Sequence, residues 1–216
     1  MQTPVRHHEP LTRSAFLLAF DLRKDRLVQQ TELGHLLRAA ALAELLLQGS
    51  LADDGGKAKA VRPPAGLAPA SLPAVVWEEI STSPPRSWRR WIRKDYAKAV
   101  TLVRDELAAD RLIRVERRRV LLFPVERVVP RRPYVSRRLA ERVSRAVRGG
   151  RPVSRVEPDL RVLAALAAAA RIRSVVGDGG PHDGRDRVEQ LAQPVEPIAT
   201  ALRKIIDAIK SSASAG

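Results

Sequence analysis

With 216 residues, 44% hydrophobic and only 4% aromatic, the chain has the length of one ordinary domain. Its apolar fraction, mostly Ala and Leu, predicts a helix-on-helix core and excludes an all-β architecture. The absence of Cys removes disulfides, thiolate metal sites and cysteine nucleophiles and fits a reducing cytosol, while the net charge of +15 points to an anionic partner.

That charge is concentrated. Between Arg86 and Arg151 there are 21 Lys/Arg against 7 Asp/Glu, so this segment carries nearly all of the imbalance. A self-repelling surface of this kind suits nucleic acid or anionic lipid headgroups; an Arg-rich base composition that happens to cluster is the plain alternative.

In chain order, residues 1–10 are polar, hold two prolines and read as a disordered tail without the apolar stretch of a secretion signal. Leu11 to Leu22 predicts a helix with Leu17, Leu18 and Phe20 on its apolar side. Arg23 to Arg26 is a charged turn leading to a short strand near Leu27-Val28. Thr31 is placed as the N-cap of the next helix, Glu32 to Gln48, whose face is built from Leu33, Leu36, Leu37, Ala40, Ala41, Glu44, Leu45 and Leu47, with Gly49 at the C′ position. Ala52 to Gly56 predicts a hairpin turn, and Lys57 to Val61 a returning strand. After a Pro-rich loop from Pro63 to Pro73, a helix begins at Val75 to Ile80 and stops at Pro84-Pro85. A basic helix starts at Arg86 to Lys94, and Ala97 to Arg111 is amphipathic through Val100, Val103, Leu107 and Ala108.

Leu112 to Val115 and Val120 to Phe123 predict a hairpin, with Glu116 to Arg119 as its almost entirely arginine tip and Pro124 to Pro133 as a connecting loop. Val135 to Arg148 is a helix with a row of arginines, closed by Gly149-Gly150. Asp159 to Val176 is Ala-rich and helical, Gly177 to Arg187 a flexible acidic loop, and Ile198 to Lys210 a last helix. Residues 211–216 read as a disordered tail. The longest uncharged apolar run, Val162 to Ala170, is far below the roughly 20 residues that span a bilayer. The fold class is therefore mainly α: a single compact helical domain over residues 11–210 with short β-hairpins, one of them protruding and basic.

The runs FLLAFDLRKDRLV (Phe16 to Val28), ELGHLLRAAALAELLLQGSL (Glu32 to Leu51), VRDELAADRLIRVERRRVLLFP (Val103 to Pro124) and RVLAALAAAARI (Arg161 to Ile172) resemble, in order and spacing, the Golgi phosphoprotein 3 family in its actinobacterial form. The resemblance implies a mainly helical domain with a protruding hairpin. It also implies a peripheral membrane protein that binds phosphatidylinositol 4-phosphate, with the cytosolic tails of membrane proteins as a further class of partner; a homo-oligomer is an expectation separate from the resemblance. The family's lipid site combines a Trp before the long helix, an Arg within it and two basic residues on a later helix. Arg38 matches the helix Arg, and Gln29 stands at the Trp position. The two later positions fall on Ala97 and Val100, with Lys98 and Arg104 as the nearest basic substitutes.

Arg38 is thus a candidate phosphate ligand, its donor fork matching phosphate oxygens, or alternatively a surface Arg paired with a nearby acid. Arg117, Arg118 and Arg119 at the hairpin tip are candidates for contact with anionic headgroups, each worth about 1 kcal/mol near a charged surface. Trp88 and Trp91, set among Arg89, Arg90, Arg93 and Lys94, fit a membrane-interface segment, although their spacing of three reads better as core or groove wall. The four histidines, His7, His8, His35 and His182, have no metal-ligand spacing. Asp178, Asp183 and Asp186 lack the EF-hand pattern, and no phosphate-cradling Gly motif occurs, so neither catalysis nor a cofactor is expected. The expected protein is non-enzymatic, cytoplasmic and attached peripherally to the inner face of a membrane. Two alternatives stand beside it: a winged-helix-like nucleic-acid binder, from the helix and basic hairpin in sequence, and an adaptor for an acidic protein.

Overall fold

Every residue from Leu33 to Ala43 is buried, and the helix that carries them, α2 (Gln30–Leu47), is the axis around which the other elements pack. A helix buried on all sides belongs in a core, and Ala39, Ala40, Ala41 and Ala43 let its neighbours approach closely. The computed structural model of the chain describes residues 9–21, 26–27, 30–120, 123–172, 175 and 184–214. Around α2 lie α1 (Leu11–Leu18), α3 (Leu72–Ser81), α4 (Trp88–Arg93), α5 (Tyr96–Ala109) and α7 (Pro158–Ala169). The last helix, α9 (Glu196–Ser214), crosses α2, α4 and α7. α6 (Pro133–Arg148) packs on α1 and α7, and α8 (Arg185–Ala192) packs on α7. One hydrophobic cluster runs from Leu11 to Ile206.

The strands are short and peripheral. β1 (Phe20–Asp21) pairs with β2 (Arg26–Leu27), and β3 (Leu51–Asp54), β4 (Lys57–Ala60) and β5 (Arg86–Ser87) form an antiparallel sheet in that order. Gly55 and Gly56 turn β3 into β4 at φ values of 58° and 82°, a backbone suited to glycine. The longest pair is β6 (Ile113–Val120) with β7 (Phe123–Pro130), in register from Ile113 opposite Pro130 to Val120 opposite Phe123.

The mainly helical class with short hairpins holds, and several boundaries move. Glu116 to Arg119 lie within β6, each residue in register with one of β7, and not in a turn; the stretch has no Gly, Asn or Pro to make one. Pro124 to Pro130 is strand, carried by β-branched Val125, Val128 and Val129, with both prolines tolerated on a two-stranded ribbon that has only edges. The first helix stops at Leu18 because Phe20 and Asp21 pair with β2. Thr31 sits inside the first turn of α2 and not before it. The Ala-rich helix ends at Ala169, where Arg171 takes a φ of 52°. Residues 185–187 of the predicted acidic loop open α8, and 211–214 of the predicted tail continue α9. Gln29, His7, His8, His182, Asp178, Asp183 and the link between β6 and β7 lie outside the described residues.

Candidate functional site

In α4, the sequence Trp88-Arg-Arg-Trp91-Ile92-Arg places its apolar residues three and four apart. Trp88, Trp91 and Ile92 are all buried, while Arg89, Arg90 and Arg93 are exposed. The indoles are therefore core, the second of the two readings given for them. Trp88 Nε1 donates to Asp53 Oδ1 on β3, which fixes the start of α4 against the three-stranded sheet. Ser87 Oγ caps the helix by accepting from the Arg90 backbone N–H at 3.4 Å.

The other end of α4 is held from within by Arg38. Its side chain is 1% exposed; Nε donates to the Trp91 carbonyl at 3.0 Å and an Nη donates to Glu79 Oε2 at 2.8 Å. Glu79, on α3, also meets Lys94 Nζ at 3.1 Å. Arg38 is thus not a helix-surface side chain. It is the buried member of an Arg38–Glu79–Lys94 chain that joins α2, α3 and the end of α4, and its partnered donors are directed inward.

In front of this chain lies an open depression of about 510 Å³. Arg86, Arg89, Arg90, Arg93 and Lys94 surround it, with Trp91 as a wall. Lys94 is engaged by Glu79 and by Asp95 at 3.8 Å. The four arginines make no ion pair among the described residues. A neighbouring depression of about 720 Å³ between the Pro-rich loop and α3 shares Ser83 and Lys94 but is lined by Pro63, Leu67, Trp77 and Glu78 and carries little positive charge.

Behind α4, His35 stacks on Tyr96 with ring centroids 4.3 Å apart. His35 Nδ1 donates to the Thr31 carbonyl at 2.7 Å, and burial chiefly lowers the imidazole pKa, with Arg93 adding to the shift and the Thr31 contact opposing it. The ring is therefore neutral at physiological pH. Gly34 makes this contact possible, because a Cβ there would lie 2.4 Å from the Tyr96 carbonyl oxygen.

The remaining sequence candidates are not brought together. Lys98 is 77% exposed and pairs with Asp95 at 3.4 Å. Arg104, 20% exposed, bridges Asp105 and Glu126, tying α5 to β7. Arg117, Arg118 and Arg119 stand in register with Glu126, Val125 and Pro124 near the far end of the β6–β7 ribbon. Among the described residues no group of His, Asp and Glu could hold a metal, and no helix is long and apolar enough to cross a membrane.

One exposed cluster was not singled out by the sequence. Where β7 leads into α6, Tyr134 is 55% and Val135 36% exposed, two of the few large hydrophobic side chains left on the described surface. Arg131, Arg132, Arg137 and Arg138 around them are exposed and unpaired among the described residues. α6 continues with Arg142, paired to Glu157 at 2.7 Å, then Arg145 and Arg148, while Val143 and Val147 face the core. A Tyr beside apolar residues in helical sequence gives no sign of exposure by itself; the signal was its position between two Arg pairs.

The family model for Golgi phosphoprotein 3 (GPP34) matches residues 11–209, from the first residue of α1 into α9. The chain belongs to the Golgi phosphoprotein 3 family. No curated protein matches it. The match covers α1 through most of α9, so the Arg38–Glu79–Lys94 chain and the β6–β7 ribbon both lie within the family region.

Proposed function

We propose that this GPP34-family protein is a non-catalytic peripheral membrane protein that binds anionic phospholipid at the cytoplasmic face. The observation that carries the reading is the junction of β7 and α6, where exposed Tyr134 and Val135 are ringed by Arg131, Arg132, Arg137 and Arg138. Tyr is favoured at the headgroup level, where its ring is apolar and its hydroxyl stays wet, and each Arg near an anionic surface adds about 1 kcal/mol. Arg145 and Arg148 extend the basic row along α6. Lys98 and the Arg117–Arg119 segment contribute further attraction, while Arg38 and Arg104 act by holding α4 and the ribbon in place. Family resemblance makes phosphatidylinositol 4-phosphate the first headgroup to try.

The test is co-sedimentation with vesicles of phosphatidylcholine alone and with phosphatidylserine, cardiolipin or phosphatidylinositol 4-phosphate, with duplex DNA as a parallel ligand. Arg137→Ala with Arg138→Ala is expected to weaken vesicle binding by about 2 kcal/mol, roughly thirtyfold. Tyr134→Ala is expected to weaken vesicle binding while leaving DNA binding unchanged, since only a bilayer offers an apolar layer for the ring. Equal losses on DNA and vesicles would favour the nucleic-acid reading, and no binding to any anionic vesicle would end the membrane reading.

A further inference from the structure

The charge around α4 is of a different kind from that on α6, because it is concave and backed by a rigid wall. α4 is locked at one end by Trp88 on Asp53 and at the other by Arg38 on the Trp91 carbonyl, with Trp91 1% exposed behind the arginines. Arg86, Arg89, Arg90 and Arg93 surround one depression without an ion pair among the described residues, and like charges gathered in this way repel one another. Glu79, which pairs with the lining Lys94, is occupied on both oxygens, by Arg38 and Lys94. Ser83 and Ser87 place hydroxyls on the same rim. The volume of about 510 Å³ lies within the range of small-ligand sites, and guanidinium forks with hydroxyl donors match tetrahedral phosphate oxygens.

We propose that this depression is a discrete binding site for a small ligand carrying two or more clustered phosphate groups. It shares no residue with the Tyr134 patch and stands or falls apart from it. Such a ligand has two sources, a free polyphosphorylated molecule and a phosphorylated lipid headgroup, and the chemistry recognised is the same. Arg86 reaches the site from β5, held to β4 through its pairing with Ala58. Arg89, Arg90 and Arg93 reach it from the exposed side of α4. Arginines from two elements line one volume, an arrangement that would favour clustered phosphates over evenly spread charge.

Pyrophosphate and tripolyphosphate are titrated into the full chain, read by calorimetry and by thermal unfolding, with inorganic phosphate as the weaker comparison. Tripolyphosphate at about a hundredfold excess over Kd is expected to raise the unfolding midpoint by roughly 5 °C. Arg89→Ser with Arg93→Ser, both exposed and outside the core, is expected to weaken tripolyphosphate binding by at least about tenfold with unchanged helicity. Arg137→Ser with Arg138→Ser, the same charge change on α6, is expected to leave it within about twofold, since distant exposed charges are largely screened. Competition then separates the sources. If vesicles bearing phosphatidylinositol 4-phosphate outcompete phosphatidylserine vesicles of equal charge, and the Arg89/Arg93 variant loses that preference, the ligand is a lipid headgroup. Tripolyphosphate binding without any such preference assigns a free ligand. The proposal is overturned if wild-type protein shows neither response, or if the α6 variant loses as much as the α4 variant. Loss of vesicle binding in the Tyr134→Ala protein has no bearing on it.

Discussion

Arg38→Ala separates a structural role for the family-position arginine from a role as phosphate ligand. The side chain is among the largest fully buried ones, and its truncation leaves the Trp91 carbonyl without its donor and Glu79 with one cation in place of two. Removing one partner of a fully buried ion pair costs about 3–5 kcal/mol. Here the lower edge applies, because Glu79 keeps Lys94 and is 16% exposed, so about 3 kcal/mol is expected. Urea unfolding followed by far-UV circular dichroism reads this as a lower midpoint at unchanged m. Arg38→Met combined with Glu79→Met is expected to recover much of the loss, because the acid left without its buried cation is removed as well. An Arg38→Ala protein within about 0.5 kcal/mol of wild type, yet with weakened binding to phosphatidylinositol 4-phosphate vesicles, would refute this account and make Arg38 a direct ligand contact.

Two further perturbations test the frame that holds the site. Glu44 on α2 is partly buried, and desolvation pushes its pKa up from 4.5 to about 7, with Glu106 and Asp159 adding to the shift and the Leu11 backbone N–H and Arg13 opposing it. The folded state therefore favours the protonated acid: stability is greatest below pH 4.5 for this group and falls as pH rises to about 7, by roughly 3 kcal/mol at 1.36 kcal/mol per unit. Glu44→Gln is expected to remove that slope and to raise the unfolding midpoint at pH 8 but not at pH 4; an unchanged slope between pH 5 and 8 would assign it to another group. Gly34→Ala sets a methyl against the Tyr96 carbonyl and is expected to cost about 1–3 kcal/mol while unseating the His35–Tyr96 stack, visible as a changed Tyr environment in near-ultraviolet dichroism.

What the sequence made legible was what local pattern controls. The period of Leu33, Leu36, Leu37, Ala40 and Ala41 with Gly49 behind it specifies α2, since Gly49 at a φ of 71° is the left-handed stop such a helix needs. Gly55-Gly56 specifies the first hairpin in the same way. The β6–β7 ribbon was misjudged in length because charged residues were read as a tip, although a ribbon solvated on its edges tolerates charge all along its strands. α8 was missed because its eight residues offer only Val188, Leu191 and Ala192 as a stripe, too short a period to stand out beside glycines and aspartates. The site suffered most from distance: Glu79 lies 41 residues from Arg38, and nothing in either neighbourhood marks the other as its partner.

The same geometry bears on how the +15 charge is to be understood. Several arginines of the basic segment are already matched: Arg104 with Asp105 and Glu126, Arg114 with Glu116, and Arg142 with Glu157. Others make no ion pair among the described residues, including the group around the α4 depression and the group flanking Tyr134. Exposed pairs are worth about 0–1 kcal/mol and weaken with salt, so at physiological ionic strength attraction to any polyanion that depends on overall charge is screened beyond roughly 8 Å. Recognition that persists at that salt must then come from direct contact. On the two proposals above, the arginine-lined depression would supply such contact for phosphate and Tyr134 with its flanking arginines would supply it for a bilayer interface. Binding that survives rising salt would therefore report on these two places, whereas the paired arginines would contribute chiefly to the part that salt removes.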